Sequence, residues 1–252
     1  MSGAACIILG RGGSKGLPGK NAALVAGCPC IAWTIEAARR SARVDRVVVS
    51  SDAPDLLAIG QDCGARTIRR PDRLAGDDTP IDEAARHALA KMEEEDGGAM
   101  AGDAPIVILY ANVPVRPTDL IDRAVGLLVR SGADSVQSYA PVGKHHPWWT
   151  VRIDDGEGGG EVGARVRPWE GQVVNHGCDR RQDLPPAFIP DGGVIAVARR
   201  GLMLEVEGVA PGPHAFLGID RRAVVTGEGE VIDIDSRVDL LVADVILRER
   251  GG

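Results

Sequence analysis

"LGRGGSKGLPGKN", Leu9 to Asn21, directly follows an apolar run and holds five glycines and three cations, Arg11, Lys15 and Lys20, in thirteen residues. Glycines let backbone approach a ligand closely and supply positive φ, and the cations add charge, so the stretch reads as a cradle for a polyphosphate. Its spacing is neither that of a Walker A loop nor that of the G-x-G-x-x-G dinucleotide fingerprint. A phosphate loop belongs immediately after a first buried strand, which is where this one stands.

Outward from the loop, short apolar runs alternate with amphipathic segments through the first 140 residues. That is the pattern of parallel strands joined by crossover helices, an α/β, Rossmann-like, mostly parallel sheet with helices on both faces. The periodicity predicts strands at Ala4 to Leu9, Arg46 to Ser50, Ile106 to Tyr110 and Ser135 to Tyr139. It predicts helices near Ile31 to Ser41, Pro54 to Cys63, Pro80 to Glu95 and Thr118 to Ser131. Thr79 is expected to cap the third helix, with Pro80 in its first position and Asp82 completing a box-like start. The glycine-rich "DDGEGGGEVG", Asp154 to Gly163, reads as a loop or hairpin tip. Residues 141–190 break the alternation and carry Trp148, Trp149 and Trp169. They read as an insertion into a single 1–252 domain, a dimerisation arm, before a strand-like "GGVIAVA" and a last helix from Ser236. No internal repeat is visible.

Composition sets limits. With 252 residues, 44% hydrophobic, the chain buries a sizeable core, and a net charge of −7 argues against nucleic acid as a partner. Cysteines 6, 28, 30, 63 and 178 show no C-x-x-C spacing, which fits a reduced, cytoplasmic setting. His145, His146, His176 and Cys178 meet no standard zinc spacing. No signal peptide or membrane span is expected.

In an open parallel sheet, ligands bind at the carboxyl ends of the strands. After the second predicted strand comes Asp52, which reads more readily as a helix cap than as a ligand; after the third come Asn112 and Arg116. The late run "VIDIDS" adds Asp233 and Asp235, which on a strand would share one face, about 6 to 7 Å apart, and suit a hard cation such as Mg2+. Asp235 or Ser236 would also serve as the cap of the last helix. A polyphosphate loop beside a divalent-cation pair suggests nucleotidyl transfer.

At this point the residues resemble a known family. "GRGGSKGLPGKN" is similar to the signature loop of acylneuraminate cytidylyltransferases, which activate sialic acid and related sugar acids with CTP. The likeness continues in order through "VVVSSD", "IRRPDRLAGDDTPID", "VPVRP", "ADSVQS", "HHPWW", "RQDLPPAF" and "IDIDSRVDL", from about Ala5 to Leu247. The resemblance implies catalytic roles for Arg11, Lys15 and Lys20 and a nucleotide site including Leu9, Gly13, Ser14, Asn21, Arg70 and Thr79. It implies Mg2+ at Asp233 and Asp235, and sugar contacts from Tyr110, Asn112, Arg116, His145, His146, Trp148, Arg181, Gln182 and Asp191. It also implies a homodimer, attack of the anomeric hydroxyl on the α-phosphate of CTP, and release of pyrophosphate.

The departures fall on the sugar side. Where the family usually reads "QPTSPLR", this chain has "YANVPVR", with Tyr110 in place of a glutamine. Trp149 replaces a lysine of some members, and Asp191 replaces the asparagine of "NGAIY". The sugar carboxylate is expected to meet a cation among Arg116, Lys144, Arg165, Arg167 and Arg181. A nonulosonic acid other than N-acetylneuraminate is the expected acceptor. The alternatives are 3-deoxy-manno-octulosonate cytidylyltransferase, whose "QGDEP" motif is absent, and a non-catalytic nucleotide-binding relative.

Overall fold

A computed structural model describes residues 3–13, 16–76, 78–154 and 165–251. In chain order the strands are β1 (Ala4–Leu9), β2 (Leu24–Val25), β3 (Cys28–Pro29), β4 (Val44–Ser51), β5 (Arg66–Arg69), β6 (Pro105–Tyr110), β7 (Ser135–Pro141), β8 (Val151–Asp154), β9 (Arg165–Pro168), β10 (Phe188–Ala198) and β11 (Arg221–Val225). The helices are α1 (Cys30–Arg40), α2 (Pro54–Asp62), α3 (Ile81–Glu95), α4 (Leu120–Ser131), α5 (Arg199–Leu202) and α6 (Arg237–Gly251). The chain divides into two compact units, one of residues 1–139 and 190–252, the other Ala140–Ile189.

The first unit is built on a seven-stranded sheet of order β11-β7-β10-β6-β1-β4-β5. β1 runs parallel to both β4 and β6, β4 parallel to β5, and β7 parallel to β11, while β10 lies antiparallel to β6. Buried along its whole length, β1 reads as an uninterrupted apolar run because both its faces are covered. Cys6 and Ile8 pack with Ile31 and Ile35 of α1 and Leu120 and Ala124 of α4; Ala5, Ile7 and Leu9 face Ala84, Ala88 and Leu89 of α3. The period of two thus places helices on both faces of the sheet. A third cluster joins Val25, Val115, Ile234 and Leu247, with Leu17 and Ile232 against it.

Register decides where a ligand site forms. Leu9 stands opposite both Ser50 of β4 and Tyr110 of β6, and Ser51 opposite Arg69 of β5. Four parallel strands therefore end at one level, and the segments that follow them emerge side by side.

Local details correct three expectations. The N-cap of α3 is Pro80 without a side-chain cap, so Thr79 is no cap; Asp82 instead pairs with Arg86 one turn on, at 2.5 Å. Ala53, not Asp52, is the N-cap of α2, again without a side-chain bond. Asp233 and Asp235 lie on no regular strand: a single bridge, Val115 to Ile232, ties their segment to the sheet side of the cleft. The final helix behaves as read, since Ser236 and Asp239 cap it reciprocally, Ser236 N donating to Asp239 Oδ2 at 2.8 Å and Asp239 N to Ser236 Oγ at 3.4 Å.

The second unit contains the β8–β9 hairpin, Asp154 pairing with Arg165, and several short 3-10 turns. The glycine-rich tip expected at Asp154 to Gly163 lies outside the described residues beyond Asp154. No described helix is long and apolar enough to cross a membrane.

Candidate active site

A cleft of about 260 Å³ opens at the carboxyl edge of the sheet. Leu9, Arg11, Lys20 and Asn21 from the glycine loop line it, with Arg70 after β5, Thr79 before α3, and Tyr110 and Asn112 after β6. Residues far apart in sequence meet because their strands end in register. Gly13 is on the exposed part of the loop and outside this lining. Ser14 and Lys15 lie outside the described residues.

The loop is held by its own polar contacts. Asn21 Nδ2 donates to the Arg11 carbonyl at 2.8 Å, closing the loop across its base. The Gly12 amide donates to Asp52 Oδ1 at 3.1 Å, so Asp52, read from sequence as a cap, in fact shapes the loop. Glycine is required at Gly16, where a Cβ would lie 2.6 Å from the Asp235 carbonyl oxygen. That contact brings the loop against the acidic segment.

Arg70 is buried and donates to the Ser50 carbonyl at 2.8 Å, and burial lowers its pKa from the usual guanidinium value. A cation so fixed presents a preset charge to the cleft.

Asn112 bridges the cleft to the acidic pair. Its Nδ2 donates to Asp233 Oδ1 and to the Ile234 carbonyl, the latter at 3.2 Å. Ile234 is fully buried and Ile232 packs in the same apolar cluster, so the alternation read from "VIDIDS" still separates apolar from acidic side chains. Burial, reinforced by the neighbouring Asp235 carboxylate and opposed by Lys20, pushes the Asp233 pKa up to about 6. Lys20 Nζ sits 2.6 Å from Asp235 Oδ1. Burial, with Asp233 nearby, pushes the Tyr110 phenol up to about 12, so the ring stands in the cleft as a neutral hydroxyl.

Two residues expected at the sugar are engaged elsewhere. Arg116 is buried, donates through Nε to the Gly193 carbonyl at 3.2 Å and does not line this cleft; burial brings it down to about 10. Asp191 accepts from Ser138 Oγ at 2.5 Å, Thr226 Oγ1 at 2.6 Å and the Gly193 amide at 2.9 Å, which fastens the start of β10 to its neighbours. Asp191 is a framework residue because both its carboxylate oxygens are bonded within the protein; Arg116, by contrast, keeps Nη1 and Nη2 buried with no hydrogen-bond partner among the described residues.

Inside the second unit, His146 is buried, accepts from the Trp148 amide at Nδ1 (3.1 Å) and lies 3.0 Å from the Pro185 carbonyl at Nε2. These partners assign a neutral ring with the proton on Nε2. It is a structural histidine, not a free sugar ligand. Trp148 stacks on His176 with centroids 5.0 Å apart, and Trp149 Nε1 donates to the Cys178 carbonyl at 2.9 Å, so both tryptophans pack within the unit. His145, Arg181 and Gln182 are exposed on the same unit.

Sequence reading missed Asp52 and Gly16 as loop-shaping residues. The only signal for Asp52 was its place just after β4. Nothing in sequence announces a contact between Gly16 and Asp235.

Comparison with known proteins agrees with this geometry. The sequence profile of the family described as cytidylyltransferase matches residues 5–144. An N-acylneuraminate cytidylyltransferase of Streptococcus agalactiae serotype III (strain NEM316) is 31% identical over 238 residues, 94% of this chain and 51% of that protein. This chain thus spans about half the length of that relative. A CMP-N,N'-diacetyllegionaminic acid synthase of Legionella pneumophila is 28% identical over 96% of this chain and 94% of its own. Among solved structures, a CMP:2-keto-3-deoxy-manno-octonic acid synthetase complexed with CTP superposes with a TM-score of 0.69 at 17% identity, covering 99% of this chain and all of that one, a likeness of fold. The profile takes in the glycine loop, Arg70, Thr79 and Asn112, more than half of the 252 residues, and the chain belongs to the cytidylyltransferase family.

Proposed function

We propose that the chain activates a nonulosonic, sialic-type sugar acid with CTP, giving the CMP-sugar and pyrophosphate. One observation carries the reading: a single cleft gathers the glycine loop, Arg70 and Asn112, with Asp233 and Asp235 tied to it through Asn112 and Lys20. The anomeric hydroxyl gives its proton to solvent and its oxygen forms a bond to the α-phosphorus as the bond from that phosphorus to the oxygen bridging to the β-phosphate breaks, pyrophosphate leaving with that oxygen. Arg11, Lys15 and Lys20 supply positive charge to the triphosphate, Asn21 and Asp52 hold the loop's shape, and Arg70 with Thr79 binds the nucleotide. His145, Arg181 and Gln182 are carried as sugar-side residues by resemblance alone.

Mg2+ fits the acidic pair. Two carboxylates crowd together until burial lifts one to about 6, which is relieved by a hard cation. Among the described residues, no group of three or more His, Cys, Asp or Glu side chains is arranged to hold a metal. Asp233 and Asp235 would therefore hold Mg2+ with substrate oxygens and water completing its shell, as this ion prefers. When bound, it would neutralise charge on the triphosphate.

Tyr110 bears on the acceptor. A phenol in place of an amide changes the depth and polarity of the pocket, and a site built to pair one polar group discriminates by as much as ~10⁴-fold. We therefore assign the acceptor to a nonulosonic acid other than plain N-acetylneuraminate, and the full-length likeness to the legionaminic acid synthase supports that choice. The second unit exposes Ile153, Val166, Trp169, Val173, Phe188 and Ile189, an apolar surface suited to a homodimer. Five free thiols suit the reducing cytoplasm.

The test is pyrophosphate release with CTP, Mg2+ and a panel of N-acetylneuraminate, its deaminated form, legionaminate, pseudaminate and 3-deoxy-manno-octulosonate. A nonulosonic acid other than N-acetylneuraminate should give the highest kcat/KM. The best rate with 3-deoxy-manno-octulosonate, or none with any acid, would overturn the reading. Light scattering at micromolar concentration should show a dimer.

A further inference from the structure

The glycine loop and the acidic segment are joined by an ion pair whose cation also faces the cleft. Lys20 Nζ lies 2.6 Å from Asp235 Oδ1, with the lysine side chain only 17% exposed and the aspartate 75% exposed. The backbone sets this reach from both sides. Leu17 packs in the apolar cluster that holds Ile232 and Ile234, and Gly16 runs so close to the Asp235 carbonyl that a Cβ would stand 2.6 Å from it. Lys20 is therefore held beside Asp235 while lining the space the triphosphate would take. At that distance the carboxylate offsets part of the ammonium's field, less than in a fully buried pair because Asp235 is exposed. Asp235, open to solvent, is accessible to a cation in its place.

We propose that Asp235 is a positioning residue for Lys20: it parks the lysine charge in the ligand-free protein and yields it to the polyphosphate when a divalent cation takes the carboxylate. The exchange rests on the reading of Asp233 and Asp235 as the metal pair of a cytidylyltransferase. It couples two ligands through one shared side chain, so each should raise the other's affinity by the same factor.

The test is a double-mutant cycle read by binding. Inorganic tripolyphosphate is titrated calorimetrically, in EDTA, into the wild-type protein, D235N, K20M and D235N/K20M. D235N should bind about 2- to 5-fold more tightly than wild type, the range for releasing one partly exposed ion pair. In the K20M background the same substitution should change nothing. An equal gain in both backgrounds would overturn the proposal, because it would report only the removal of a negative charge. Mn2+ titrations without nucleotide, followed by electron paramagnetic resonance, separate the exchange from the metal reading. K20M should bind Mn2+ more tightly than wild type, and D233N/D235N should lose binding. Loss in D233N/D235N with no change in K20M would defeat the exchange alone. Equal Mn2+ binding in wild type and D233N/D235N would defeat the metal assignment and the exchange with it.

Discussion

Asn112 and Asp233, 121 residues apart, share a hydrogen bond from the amide Nδ2 to the carboxylate, while the Ile234 amide donates back to the Asn112 carbonyl at 2.9 Å. The end of β6 thereby fixes where the acidic segment stands. In N112A, Asp233 loses its donor and the segment loses a side-chain tether, a change of about 1–3 kcal/mol for a bond to a charged group. The expected outcome is a several-fold rise in the Mg2+ concentration needed for half-maximal rate, with the fold retained. An unchanged Mg2+ requirement would detach Asn112 from the metal pair.

Burial raises Asp233 from the ordinary 3.8 to about 6, and the sign of its effect on stability follows. Native protein holds a proton between these values that the unfolded chain has released, so stability rises as pH falls through 6 and levels off near 4. D233N removes the buried charge and keeps an acceptor for Asn112. In EDTA its melting temperature should exceed that of wild type by about 2–4 °C at pH 8, the scale of one kcal/mol for a chain of this size, and the gain should vanish near pH 4. Thermal melts across pH 4–8 check this, and a gain independent of pH would contradict the buried-charge origin.

Gly16→Ala puts a methyl group 2.6 Å from the Asp235 carbonyl oxygen, a distance that backbone must yield to accommodate. The loop and the acidic segment should separate, and CTP affinity should fall about tenfold, equivalent to about 1.4 kcal/mol. Calorimetry with CTP measures it. Gly98→Ala is the control, because nothing lies within 4 Å of that position and it does not line the cleft; equal losses in both variants would remove the steric account.

His146→Ala leaves the Trp148 amide and the Pro185 carbonyl without their shared partner, a cost of about 1–3 kcal/mol where such groups stay buried. The loss is local to the second unit. Limited proteolysis should cut within residues 140–189 faster than in wild type, while CTP binding stays the same. A weakened CTP affinity with unaltered proteolysis would instead make His146 a ligand residue.

Much of this protein is legible residue by residue. β1 runs from Ala4 to Leu9 as its apolar run predicts, α2 starts at Pro54, and Ser236 with Asp239 caps α6, because buried-strand runs, a proline in the first turn and a capping box are written within a few residues of where they act. The glycine loop and the cytidylyltransferase family are legible for the same reason, since a phosphate cradle is made from consecutive backbone. Other features depend on which strands lie side by side. The Lys20 pair with Asp235 spans 215 positions, and Asp52 reaches Gly12 across 40; no period or spacing encodes either. His146 and Asp191 look like ligands in the sequence because they are polar, and only packing turns their polar atoms inward to backbone and framework partners. Local chemistry follows from neighbours along the chain, whereas charge pairing and burial follow from strand order and register, which bring distant residues within hydrogen-bond reach.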